Sequence, residues 1–240
     1  MKYVKLASTI LMAVLILSGC KQELASTLYV RDLVETVSSD KVMTTPAEIK
    51  LEMPTKKSCA EKKNKLTRVI SPFFNNLEKT QCIQEGSDAF CYAGFEIPMI
   101  TVPNDGNLSN NYKGGISAHL KNNNGQIDVY LSMKSNLLKA LDKNLEDEFM
   151  GSGGIDPEDM TIKISINNDA RNTYVLFVEG AFLDGQAIIS RFGQTIELDR
   201  RSEAVIKLAD VSVFALTGRG KTNFAYVGTV APKPAEDEKK

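Results

Sequence analysis

Apolar and polar positions change their spacing along the chain, and each change marks an element. Ala47, Ile49, Leu51 and Met53 alternate with Glu48, Lys50 and Glu52. That period of two, with charge on one face, predicts a half-buried strand that Pro54 ends. From about Ser58, which can cap a helix, Leu66, Val69, Ile70, Phe73, Phe74 and Leu77 recur at helical spacing. The stripe predicts an amphipathic helix, with Pro72 as a kink or break inside it. A hairpin around Gln84–Asp88 follows, its second strand running from Ala89 to Ile97. Residues 103–113 form a polar loop. Ile116–Leu120 and Ile127–Met133 read as strands joined by Asn122-Asn123-Asn124-Gly125, residues suited to a tight turn. Ser135 then caps a second helix, with a stripe of Leu137, Leu138, Leu141, Leu145 and Phe149.

Past a glycine-rich breaker at Met150–Pro157, the pattern becomes almost purely one of strands. The candidates are Met160–Ile166, Thr173–Gly180, Gln186–Ile189, Thr195–Leu198, Ala204–Leu208, Val211–Leu216 and Phe224–Val230. Two main amphipathic helices beside many hairpins predict an α+β fold, mostly antiparallel, with a β-rich C-terminal half. Residues 45–150 form the α+β N-terminal part and residues 151–231 the β-rich C-terminal part of one continuous domain. A lead-in occupies residues 20–44, with a short strand at Leu28–Val30 and a short helix at Arg31–Val37. The last residues, 232–240, are proline and charge with almost no apolar content, and read as a disordered tail.

The amino terminus follows a different logic. Lys2 and Lys5 precede an apolar run, Ala7–Leu17, of eleven residues. A bilayer-spanning helix needs roughly 20 apolar residues, so the run suits the core of a secretory signal instead. It ends in Leu17-Ser18-Gly19-Cys20, which resembles the lipobox of bacterial lipoproteins. The resemblance implies a signal peptide at 1–19, recognition of Leu17, Ser18 and Gly19 by the lipoprotein signal peptidase, and a diacylglyceryl thioether on Cys20. Two or three acyl chains anchor stably where one holds only marginally. Lys21 stands where an Asp tends to retain Gram-negative lipoproteins in the inner membrane. The expected location is therefore the cell envelope, with the periplasmic face of the outer membrane favoured. Cys20-Lys21-Gln22-Glu23-Leu24 with Ser26-Thr27-Leu28 is also similar to the opening of ring-forming lipoproteins of type III secretion, but the next segment departs. Taken whole, the chain resembles enterobacterial envelope lipoproteins of unassigned role.

Composition adds limits. After the signal, 27 basic residues face 30 acidic ones, a net charge of −3. No basic stripe stands out, which argues against a nucleic-acid partner. With Cys20 taken by lipid, Cys59, Cys82 and Cys91 remain, and an exported compartment permits disulfides. Cys59–Cys82, clipping a helix to the following strand, is the favoured pair. If Gly86-Ser87 is a two-residue turn, Cys82 and Cys91 lie directly opposite, and that pairing is the alternative.

Little else points to chemistry. The single histidine, His119, lies in a strand with no nucleophile marked beside it, and one histidine cannot build a clustered zinc site. Gly151-Ser152-Gly153-Gly154 lacks the Lys-Ser/Thr ending of a phosphate loop. The acids Asp142, Glu146, Asp147 and Glu148, with Asp156, Glu158 and Asp159, lack the spacing of a calcium loop. No catalytic residue, metal or cofactor is expected. The expected role is a non-enzymatic protein-binding or structural module, held to the membrane through Cys20 and partnered by an envelope protein. The alternative is an anchored small-ligand or lipid carrier, or an enzyme, with its site in the β-rich half.

Overall fold

The computed structural model describes residues 21–39, 41–102, 112–149, 155–188 and 193–229. The leader, Cys20, residues 103–111, Gly151–Gly154 and the tail 232–240 lie outside them. In chain order, β1 (Gln22–Tyr29) leads into α1 (Val30–Ser39), and β2 (Met43–Met53) into α2 (Lys56–Ile70). The hairpin of β3 (Gln81–Glu85) and β4 (Asp88–Thr101) follows. A second hairpin, β5 (Ile116–Asn123) with β6 (Gln126–Met133), precedes α3 (Ser135–Phe149). Then come β7 (Met160–Asn167), β8 (Tyr174–Val178), β9 (Ala181–Leu183), β10 (Gln186–Ala187), β11 (Gln194–Leu198) and β12 (Glu203–Leu208). Finally α4 (Asp210–Arg219) leads into β13 (Lys221–Thr229).

Among the described residues the fold is mixed and β-dominated, with four helices and thirteen strands in one curled, antiparallel-rich sheet. The strand order is β10-β9-β12-β7-β1-β2-β4-β5-β6-β13-β8-β11, with β3 beside β4. Two pairings are parallel, β1 with β7 and β4 with β5. Because β1 lies between β2 and β7, the N-terminal and C-terminal parts share one sheet.

The core follows the period-two pattern. Leu24 and Leu28 of β1, Ala47 and Ile49 of β2, alternate residues of β4 from Cys91 to Met99, and Ile162, Ile164 and Ile166 of β7 are all buried on one face. Helices cover that face: α1 with Val30 and Leu33, α2 with Leu66, Val69 and Ile70, α3 with Leu138 and Leu141, α4 with Val213 and Leu216. At roughly 1.5–3 kcal/mol per fully buried aliphatic side chain, this shared layer is what holds thirteen strands in one body.

Several expectations are met in detail. The β5–β6 turn places Asn124 and Gly125 at φ 54° and 88°, the positive angles an Asn-Gly turn supplies. The helix carrying Leu66 stops at Ile70, two residues before Pro72. Gly86-Ser87 is the two-residue turn of the β3–β4 hairpin, setting Cys82 opposite Cys91.

Others are corrected. The cap of α2 is Thr55, whose Oγ1 accepts the Ser58 N–H at 3.0 Å, so Ser58 already lies inside the helix. The short helix expected at Arg31–Val37 is present as α1, but the short strand expected at Leu28–Val30 is instead the eight-residue interior strand β1. Two inward positions of β1 are polar, Gln22 and Ser26, and this masks the alternation; the Ser26 hydroxyl is satisfied by donating to the Pro46 carbonyl at 3.0 Å. Val211–Leu216 is not a strand but the body of α4. Val213 and Leu216, three apart, are buried, whereas Val211 and Phe214 are exposed. Asp210 in the first turn and Gly220 in the left-handed C-cap fix the helix ends. With α4 added to the two main helices and the expected short one, the described residues hold four.

Candidate functional site

On the face of the sheet opposite the helices, β7, β1, β2 and β4 form a trough of about 520 Å³. Its floor is built of small side chains: Ala25 and Thr27 from β1, Gly94 from β4 and Ser165 from β7. These are the positions that alternate with the buried face, so the residues that build the core also leave this floor low. A Cβ at Gly94 would stand 2.6 Å from the Glu78 carboxylate, so a larger residue there would displace that side chain.

The rim is charged. Glu23, Glu48 and Glu78 stand with Lys163, whose ammonium donates to Glu23 at 3.0 Å, and with Lys50, which lies opposite Glu23 across the β1–β2 pair. Tyr92 completes the wall. Burial, and then a hydrogen bond to Glu48, hold its phenol above the usual range, so it stays protonated at any physiological pH. The trough thus offers carboxylates in excess of cations around a flat floor of small residues. Sequence reasoning did not find it, because Glu23 and Lys163 are brought together only by the parallel β1–β7 pairing.

The interior holds a second, apolar gap between the sheet and α3, lined by Leu24, Ile49, Phe74, Leu138 and Leu141 among others. Its volume is about 30 Å³, room for about one water molecule.

His119 sits in β5, fully buried, with Nε2 2.8 Å from the Ser117 hydroxyl. The structure therefore does place a hydroxyl beside the histidine. Both residues are closed to solvent, 1% and 0% exposed, and neither cavity above reaches them. Among the described residues the pair is a buried hydrogen bond within the sheet. Burial pushes the His119 pKa down to about 4, leaving the ring neutral at pH 7. Its Nδ1 has no hydrogen-bond partner among the described residues. The Tyr112 ring packs edge-on to it at 5.8 Å.

The three cysteines behind the leader converge. Cys59 of α2 is disulfide-bonded to Cys82 of β3, with Cα atoms 5.9 Å apart. Cys91 is a free thiol, directly across the hairpin from Cys82, and its Sγ lies 2.6 Å from that of Cys59. All three sulfurs fall within 4.8 Å of one another. While the disulfide is intact, only one of them can act as a thiolate ligand, so the cluster is not a metal site in this state. Cys20 and the Leu17-Ser18-Gly19 motif lie outside the described residues.

The class this fold defines is an α/β body on a single β-dominated sheet, with a polar trough on the face opposite the helices. The chain belongs to the family described as Domain of unknown function (DUF7424), whose profile matches residues 22–236. No curated protein and no solved structure matches it.

Proposed function

We propose that this protein is a lipid-anchored envelope module, held at the membrane through Cys20, that docks a basic segment of another envelope protein in the β7–β1–β2–β4 trough. The trough carries the reading. Three glutamates outnumber the two lysines beside them, Lys163 and Lys50, which suits a cationic partner, and a floor of alanine, threonine, glycine and serine lets an extended backbone lie close. Nothing in the reading requires catalysis. The anchor rests on Leu17-Ser18-Gly19-Cys20. The position of Lys21 favours the periplasmic face of the outer membrane.

The alternative, a carrier of lipid or another small ligand, draws less support. Ligand clefts usually span roughly 300–1,000 Å³ with mostly apolar walls. Among the described residues the apolar gap is about 30 Å³, and the larger trough mixes charged and polar side chains with small apolar ones.

A photo-crosslinking side chain placed at Thr27 in the trough, and another at Asn124 in the remote β5–β6 turn, test the docking. Whole cells should give a discrete adduct from Thr27 alone, lost in a Glu48→Lys, Glu78→Lys variant that retains its melting temperature. Equal adducts from both positions, or an adduct indifferent to the charge reversal, would sink the proposal. Membrane fractionation of a Cys20→Ser form tests the anchor separately.

A further inference from the structure

The trough makes no use of the cysteine cluster, which the fold assembles from three separate elements. We propose that Cys59, Cys82 and Cys91 form an intramolecular thiol–disulfide exchange site. In it the Cys91 sulfur displaces Cys82 from Cys59 and leaves Cys82 as a reactive thiol beside the open edge of β3.

Position is the first argument. Exchange requires a thiolate in contact with one sulfur of a disulfide. The Cys91 sulfur is in direct contact with Cys59 Sγ. The hairpin register places Cys91 opposite Cys82, so the nucleophile and the leaving group are neighbours on one face of the sheet. Cys59 projects from the first half of α2 onto both of them and is the shared electrophile. No backbone rearrangement is needed to bring the three together.

The step balances without an outside oxidant. The Cys91 thiol gives its proton to water, its sulfur bonds to Cys59 Sγ, and the Cys59–Cys82 bond breaks. Cys82 departs as a thiolate and takes up a proton. One thiol and one disulfide enter, and one of each leaves.

Burial gives the step its consequence. In the starting state the free thiol is Cys91, 2% exposed. Its pKa is pushed up to about 11 by burial, with Lys63 the one charge opposing the shift. After exchange the free thiol is Cys82, which is only half-buried, on a strand that hydrogen-bonds to β4 along one side only. An inert thiol is thereby traded for one that can attack a disulfide or a soft electrophile. The step is slow at neutral pH, since a thiol with that pKa is ionised only to about one part in ten thousand.

The test is a disulfide map of the full protein. Native protein is held for hours at pH 8.5 with N-ethylmaleimide, then digested without reduction. Exchange predicts alkylated Cys82 together with a Cys59–Cys91 linkage. In a Cys91→Ser variant, Cys82 alkylation should fall at least about tenfold. Alkylated Cys91 with Cys59–Cys82 retained would mean local opening and overturn the proposal. Absence of any alkylation behind the leader overturns it too, and so does a Cys82–Cys91 linkage with Cys59 alkylated. The wild-type map stands whether or not the variant folds.

Discussion

Lys21 and Glu52 are joined twice: the Glu52 N–H donates to the Lys21 carbonyl at 2.9 Å, and the Lys21 N–H donates to the Glu52 carboxylate at 2.9 Å. The Lys21 ammonium also pairs with Asp88 at 3.2 Å. Sheet pairing therefore begins one residue past Cys20, and a lipid on Cys20 would hold this end of the sheet against the bilayer. The first turn of α2 lies at the same end, with Lys56 and Lys57 where a helix dipole favours acids instead. Anionic headgroups would compensate that placement.

A fluorophore at Ser87, in the turn beside Asp88, should accordingly be quenched strongly by headgroup-labelled lipid when the lipidated protein sits in vesicles. One at Asn124, at the far end of the sheet, should not. Insertion of a flexible ten-residue linker after Lys21 should abolish the difference. Equal quenching at both sites in the unmodified protein would refute the orientation.

The cysteine geometry gives unequal costs for two substitutions that remove the same disulfide. Closing a loop of 23 residues stabilises a fold by about 3 kcal/mol in the chain-entropy account. Cys82→Ser frees Cys59 to bond Cys91, closing a loop of similar length, so the net loss should stay under about 1 kcal/mol. Cys59→Ser leaves only Cys82 and Cys91, directly opposed across the hairpin, and with that pair left reduced the variant should lose most of the about 3 kcal/mol. Urea denaturation of both variants under oxidising conditions measures the gap. Equal losses would show that Cys91 does not substitute.

His119 makes stability depend on acidity. Its folded pKa of about 4 lies below the unfolded value of 6.5. The unfolded chain therefore binds the proton first as pH falls. The stabilisation from the neutral buried ring is fully present above pH 6.5 and is lost as pH drops from 6.5 towards 4. The whole loss is roughly 3 kcal/mol at most, from about 1.4 kcal/mol per unit. His119→Gln keeps a donor for Ser117 and has nothing to titrate. Denaturation at pH 7 and pH 4.5 should show a larger drop for wild type than for the variant, the shared carboxylates cancelling in the difference. Identical drops would contradict the shift.

How much was legible in the sequence depends on how local each signal is. The Asn124-Gly125 turn, the stop before Pro72 and the Cys82–Cys91 register are set by residues within a few positions, and each could be read directly. β1 was legible only at its end, since inward Gln22 and Ser26 break the alternation, and Ser26 finds its acceptor, the Pro46 carbonyl, only in the sheet. Val211–Leu216 misled because Val-Ser-Val-Phe-Ala-Leu fits both periods, and only the packing of Val213 and Leu216 decides between them. The trough was illegible for a deeper reason. Glu23 and Lys163 are 140 positions apart, and their meeting is a property of strand order.

The end of α4 tests that helix assignment by a single atom. Gly220 adopts φ 81°, its N–H donates to the Leu216 carbonyl, and its carbonyl accepts from the Met133 N–H and the Ser132 hydroxyl. A Cβ there would stand 3.0 Å from the Met133 carbonyl oxygen. Gly220→Ala must therefore carry the left-handed penalty of about 1–2 kcal/mol and also crowd the β6–β13 junction. Gly220→Asn meets the same crowding but tolerates the left-handed region better, because its amide can hydrogen-bond locally. Equilibrium unfolding should rank wild type above Asn and Asn above Ala. If Ala equals glycine, the turn is not left-handed, and Val211–Leu216 does not end in the cap that makes it a helix.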